Sequence, residues 1–245
     1  MRRRPPPKNA DLHGSAPDDA RAALLLIDVI NDLQFEGGAQ LLVQALPMAK
    51  RLAALKRRAK AVGIPAVYVN DNFGRWQSNF ARLIQHCLAR GVRGRPLVRR
   101  LRPRPDDYFV LKPKHSGFFS TVLDTLLAYL RVETLILTGL TTESCVLFTA
   151  ADAHMRDFRI IVPADCVASM RSAERQRALG HVRRVLGGDV TPSTTLRLES
   201  LAGHHQRSSA ASRRDRVRRF PGKSFQTSTN ARPAHENERR VADAP

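Results

Sequence analysis

Short apolar runs recur along the chain, separated by stretches with a helical period. Residues 22–29 read AALLLIDV, a continuous apolar run broken by one carboxylate. A run apolar on both faces suits an interior strand of a parallel sheet. Leu41, Leu42, Ala45, Leu46, Ala49, Leu52 and Leu55 then return to one face, which predicts a helix that Gly63 and Pro65 end. Further strands are predicted at 66–70 (AVYVN), 108–111, 134–138 and 159–162, with a short sixth at 189–191. Helices are predicted at 79–90, 121–130, 144–156 and 172–186. This alternation predicts an α/β three-layer sandwich of Rossmann-like type: a six-stranded parallel sheet with helices on both faces. In such sheets ligands bind at the carboxyl ends of the strands.

The pattern covers one unit, residues 21–203. Residues 1–20 are rich in Pro and charge and read as a disordered arm. Residues 204–245 lose apolar periodicity and read as a disordered basic tail. The arm is basic but has no apolar core behind it, so no secretory signal is expected. No run approaches the roughly 18–20 apolar residues of a membrane span. Three cysteines, Cys87, Cys145 and Cys166, with no CxxC pair, suggest neither a disulfide scaffold nor zinc. A reducing, cytoplasmic setting is the simplest expectation.

The formal charge of +19 divides into +1 for residues 1–20, +12 for 21–204 and +6 for 205–245. Aromatic residues make up only 6% and no nucleic-acid-reading module is present, so the charge reads chiefly as a basic solvated surface. Nucleic acid is an expected partner only through the tail. The segment 90–104 holds seven arginines with Pro96 and Pro103, and reads as a solvated connection rather than an anion clamp.

Three predicted strand ends carry reactive side chains. Asp28 closes the first strand, where a carboxylate is costly unless paired or functional. Lys112 follows the third. Cys145 follows the fourth, after a Gly/Thr-rich loop where a helix begins. A helix N-terminus lowers a thiol's pKa. Carboxylate, ammonium and thiol together make a base, an electrostatic partner and a nucleophile.

At these residues the chain resembles the isochorismatase-like cysteine hydrolase superfamily. Its carriers are LLLIDVINDLQF around Asp28, KPKHSGFFSTVLDTLL from Lys112, and LILTGLTTESCVLFTAADAHMRDFRIIVPADCVAS around Cys145. The last holds the family's G-x-x-T-x-x-C-V loop. The resemblance runs from about Ala22 to Thr191. It implies a catalytic triad of Asp28, Lys112 and Cys145, with an oxyanion hole from backbone N–H groups at Thr141 and Cys145. It implies hydrolysis of a small-molecule amide or carbamoyl C–N bond through a thioester, no cofactor, and a homo-oligomer. Nicotinamidases in this superfamily carry an Asp/His metal cluster near the second strand. Here that region reads YVNDNFGRWQSNF, with Asp71 and no histidine. Neither a metal site nor nicotinamide is therefore expected. Asn72, Phe73, Trp76 and Phe80 are candidates to line the substrate pocket, or else pack beneath the loop. His115 is a further pocket candidate. Two alternatives remain: a vinyl-ether hydrolase of the isochorismatase type, and a catalytically idle binding module with a basic tail.

Overall fold

The computed structural model describes residues 20–74 and 79–202. The N-terminal arm, Trp76 and the basic tail lie outside the described residues. The ordered elements begin with strand β1 (Ala22–Ile27), helix α1 (Gly38–Ala61), β2 (Ala66–Asp71), and the short helices α2 (Phe80–Leu88) and α3 (Arg95–Arg100). β3 (Tyr108–Lys112), α4 (Leu123–Tyr129) and β4 (Thr134–Leu140) follow. A π-helical turn (Thr142–Val146) then leads into α5 (Leu147–His154). The chain continues through β5 (Arg159–Ile161), β6 (Val167–Ala168), α6 (Ser172–Arg184) and α7 (Leu198–Ala202).

All strand pairs are parallel, in the order β3-β2-β1-β4-β5, with β6 on the far part of β4. β1 is therefore interior, and all six of its residues are buried. Their side chains alternate between two cores. Ala22, Leu24 and Leu26 join Leu41, Ala45, Ala49 and Leu52 of α1 on one face. Ala23, Leu25 and Ile27 join Leu123, Leu127, Ala150 and Val182 on the other, beneath α4, α5 and α6.

Two expectations change. The sixth strand is Val167–Ala168, which pairs with Gly139 and Leu140. Around 189 only a single bridge forms, between Asp189 and Ile161. The Asp189 carboxylate accepts from Thr191 N at 2.9 Å, and this local turn stops the pairing after one residue. The arginine-rich segment is not wholly a connection, since α3 forms within it. Leu97, Val98 and Leu101 share its inner side and are buried, and Pro96 stands in its first turn, where the missing N–H does no harm.

Gly139 decides how closely β4 passes β1. Its φ is +112°, and a Cβ there would lie 2.0 Å from Ile27 O. Only glycine fits that contact. The close approach places the loop after β4 beside the end of β1, and Thr138 Oγ1 reinforces it by donating to Leu25 O at 2.6 Å.

Candidate active site

Asp28, Lys112 and Cys145 meet at the carboxyl ends of β1, β3 and β4. Asp28 is the first residue past β1 and has φ +51°, a left-handed backbone that Asp tolerates better than most residues. The turn is braced on both sides. Asp28 N donates to Val69 O at 3.0 Å, and Asp71 N donates to Asp28 Oδ1 at 2.7 Å. Beyond it, the Asn70 side chain clamps Ile30, accepting from its N–H at 3.2 Å and donating to its carbonyl at 2.8 Å.

Lys112 ends β3, in register with Asp71. Its side chain is fully buried, and its Nζ is 2.9 Å from Asp28 Oδ2 and 3.7 Å from Asp71 Oδ2. It also donates to Lys114 O at 3.1 Å and to Cys145 Sγ at 3.4 Å. Neighbouring strands lie about 4.8 Å apart, so β3 and β1 are roughly 10 Å apart. The long lysine crosses the end of β2 to reach the short aspartate.

Cys145 lies in the π-helical turn, where Ser144 N and Val146 N both donate to Thr141 O at 3.2 Å. Thr149 Oγ1 donates to Cys145 O at 2.7 Å and accepts from Gly117 N at 3.0 Å. One hydroxyl thus ties the thiol-bearing turn to the loop that follows Lys112.

The electrostatics follow from burial. Burial raises the Asp28 pKa above 3.8, although Lys112 and a hydrogen bond with Cys145 pull the other way. Burial alone would lower Lys112, but Asp28, Cys145 and Asp71 outweigh it and hold the ammonium above 10.5. Burial and the Asp28 charge push the Cys145 thiol up to about 12. The depression expected from a helix N-terminus is thus overruled: the thiol rests protonated beside a carboxylate more basic than usual. Such a pair can pass a proton from sulfur to carboxylate as the sulfur attacks. Cys87 and Cys166 are fully buried, with thiols also pushed up to about 12.

The other candidates separate. His115 does not merely decorate the surface: its Nδ1 is 3.8 Å from Cys145 Sγ and 3.3 Å from Ser144 Oγ, and its ring leans on Phe148 at 5.5 Å. Thr141 immediately precedes the turn, in an extended conformation. Asn72 is buried and caps its own loop, accepting from Gly74 N at 2.9 Å, while Phe73 beside it is exposed with φ +53°. Phe80 packs in the α1-side core, stacked on Phe109 at 5.0 Å and tilted against Tyr68 at 6.0 Å. As the first residue of α2, it meets that core when the helix turns its apolar stripe inward. Asp71 and Asn70 received no role from the sequence. The signal was there, since both stand at the end of an apolar strand next to a loop. Among the described residues, no group of three His, Cys, Asp or Glu side chains is arranged to hold a metal ion.

The same chain is recognisable elsewhere. The Isochorismatase domain model matches residues 22–195. The isochorismatase family protein YaaI of Bacillus subtilis (strain 168), itself uncharacterized, is 37% identical over 172 residues, 70% of this chain and 94% of that protein. Ureidoacrylate amidohydrolase RutB of Methylorubrum extorquens (strain ATCC 14718) is 30% identical over 173 residues, covering 60% of this chain and 70% of that one. Among solved structures, N-carbamoylsarcosine amidase from Thermoplasma acidophilum superposes with a TM-score of 0.56 at 28% identity, over 72% of this chain and 99% of that one. Nicotinamidase PncA from Bacillus subtilis gives 0.56 at 26% identity, over 70% and 99%. The parallel sheet, the strand-end residues and a domain match over most of the ordered chain agree: this protein belongs to the isochorismatase-like hydrolase family.

Proposed function

We propose that the protein hydrolyses a C–N bond next to a carbonyl in a small amide, urea or carbamoyl compound, through a thioester on Cys145. One observation carries the reading. Lys112 Nζ holds Asp28 Oδ2 at 2.9 Å and Cys145 Sγ at 3.4 Å, so acid, cation and nucleophile share one buried point. Asp28 takes the thiol proton as the sulfur adds to the carbonyl carbon. Lys112 offsets the negative charge that then lies between sulfur and carboxylate. The C–N bond breaks, and the nitrogen leaves with the proton that Asp28 had taken. Water then adds to the thioester with Asp28 as base, the C–S bond breaks, and the sulfur recovers its proton as the acid departs. Backbone N–H groups at Thr141 and Cys145 hold the developing oxyanion. His115 and Ser144, on the open side of the sulfur, contact the substrate. The names of RutB and of N-carbamoylsarcosine amidase point to the same bond class.

A panel of amides, ureas and carbamoyl compounds, read as released ammonia with and without a thiol alkylator, tests this. Alkylator-sensitive ammonia release that disappears in Cys145→Ala, with the melting temperature retained, is the expected result. Release that survives Cys145→Ala removes the thioester. Pyruvate release from a vinyl ether, with no ammonia from any member of the panel, selects the isochorismatase-type reaction instead.

A further inference from the structure

Several arginines on this surface have acceptors. Arg21 pairs with Glu133, Arg156 with Asp124 and Asp152, and Arg171 with Glu174. Arg58, Arg93 and Arg95 donate to backbone carbonyls. One group differs. Arg57 on α1, Arg100 at the end of α3, and Arg102 and Arg104 just beyond converge with Lys56 and Lys60 on a pocket of about 100 Å³. The two carboxylates at hand are already engaged, Asp107 by Lys56 and Asp106 by Lys60. Among the described residues, no carboxylate or carbonyl accepts from the side chains of Arg57, Arg100, Arg102 or Arg104. Six cations against two carboxylates leave an excess of four positive charges at one pocket.

Like charges gathered without an anion repel, and the chain nevertheless holds them on a stiff base. Leu97, Val98 and Leu101 bury the inner side of the segment, and Tyr68 Oη pins it by donating to Leu101 O at 2.7 Å. Pro103 and Pro105 fix φ on either side of Arg104. The cationic field reaches Lys56, whose pKa is lowered by burial first and then, against Asp107, by the Arg104 charge. Planar guanidinium forks suit phosphate oxygens, which they bind two at a time.

We propose that this pocket binds a phosphate-bearing small molecule carrying more than one phosphate, with Arg57, Arg100, Arg102 and Arg104 as the donors. The pocket lies by the amino-terminal ends of β2 and β3, at the opposite end of the strands from the thiol. Its residues precede β2 and β3, whereas Asp71 and Lys112 end those strands. Five residues of strand at about 3.3 Å each put roughly 13 Å or more between the two sites. The inference therefore does not depend on the hydrolytic reading.

Calorimetric titration of the full chain with inorganic pyrophosphate and with phosphate, at about 0.15 M salt to screen loose surface attraction, tests it. Saturable one-site binding of pyrophosphate is expected, at least tenfold tighter than phosphate. The double variant Arg100→Ala/Arg102→Ala should weaken it at least tenfold with melting temperature and ammonia release unchanged. Arg100→Lys/Arg102→Lys, which keeps charge but loses the fork, should fall between the two. Equal binding by the alanine variant would place the phosphate on the basic tail and overturn the proposal. So would the absence of saturation, or tighter, competing binding of a single-stranded oligonucleotide, which would assign the surface to nucleic acid.

Discussion

Replacing Lys112 with methionine keeps the stem and removes the charge. The lost ammonium has Asp28 at 2.9 Å, the Lys114 carbonyl at 3.1 Å and the Cys145 sulfur at 3.4 Å. What remains is a buried carboxylate, Asp28, with Asp71 N at 2.7 Å as its backbone donor. Removing one partner of a buried pair costs about 3–5 kcal/mol. In a domain of this size each kcal/mol is worth about 2–4 °C, so Lys112→Met should melt roughly 6–20 °C lower near neutral pH. The sign of the pH dependence is fixed. Asp28 titrates above 3.8 even with Lys112 present, and Lys112 is the strongest influence holding it down. Without Lys112 it titrates higher still, so the folded variant binds the Asp28 proton more tightly than the unfolded chain does. Its deficit is smallest in acid, where Asp28 is neutral, and grows as pH rises through the elevated pKa. Lys112 itself titrates above 10.5 and stays charged throughout that range. Asp28→Asn should cost less, because Lys112 keeps Asp71 at 3.7 Å and the Lys114 carbonyl. The double variant should recover part of the loss, with a coupling of about 1–3 kcal/mol. Thermal melts of the four proteins from about pH 5 to about pH 8 measure all of this. Additive single losses, with a deficit independent of pH, would show that the two charges do not sense one another.

Two further outcomes follow from the same geometry. A thiol at about 12 without help would alkylate faster with every unit of pH toward that value. With Asp28 as its base, alkylation of Cys145 should instead level off once the carboxylate is ionised, and Asp28→Asn should slow it at least tenfold; a rise with no plateau argues against the base. Phe80→Ala should cost about 3–5 kcal/mol as a core deletion while KM stays unchanged. His115→Ala, on an exposed ring, should do the reverse, raising KM with stability within about 0.5 kcal/mol; a KM change with Phe80 and none with His115 would exchange their roles.

The strand ends were legible because parallel-sheet chemistry is written as a break in apolar runs. AALLLI runs into Asp28 and YFVLK ends in Lys112, and both breaks are visible without any structure. The resemblance sharpened this by singling out one loop, GLTTESCV. What could not be read was distance across the sheet. Nothing in the spacing of Asp71 says that it faces Lys112, because that depends on the register of β2 against β3. His115 was ambiguous for a similar reason: its neighbour Ser144 lies 29 residues away on another strand's loop. The thiol's pKa departs from the helix-end expectation because that influence is local, whereas burial and Asp28, the larger influences, arise only when three strands come together. Phe80 is ambiguous in the sequence because one aromatic at the start of a helix can face either way, and the rings it meets, Tyr68 and Phe109, come from β2 and β3.

The order of the strands also sets a sequence of events for a chain emerging from the ribosome. β1, β2 and β3 are made first and lie side by side with β2 in the middle, so Asp28 and Lys112 can join across it while one side of β1 still lies open. β4 closes that side, and the Cys145 thiol arrives five residues after β4 ends. The order of synthesis thus lets the sulfur meet a charge pair that earlier strands can already have formed, and the strand that closes the middle of the sheet is also the one that brings in the thiol.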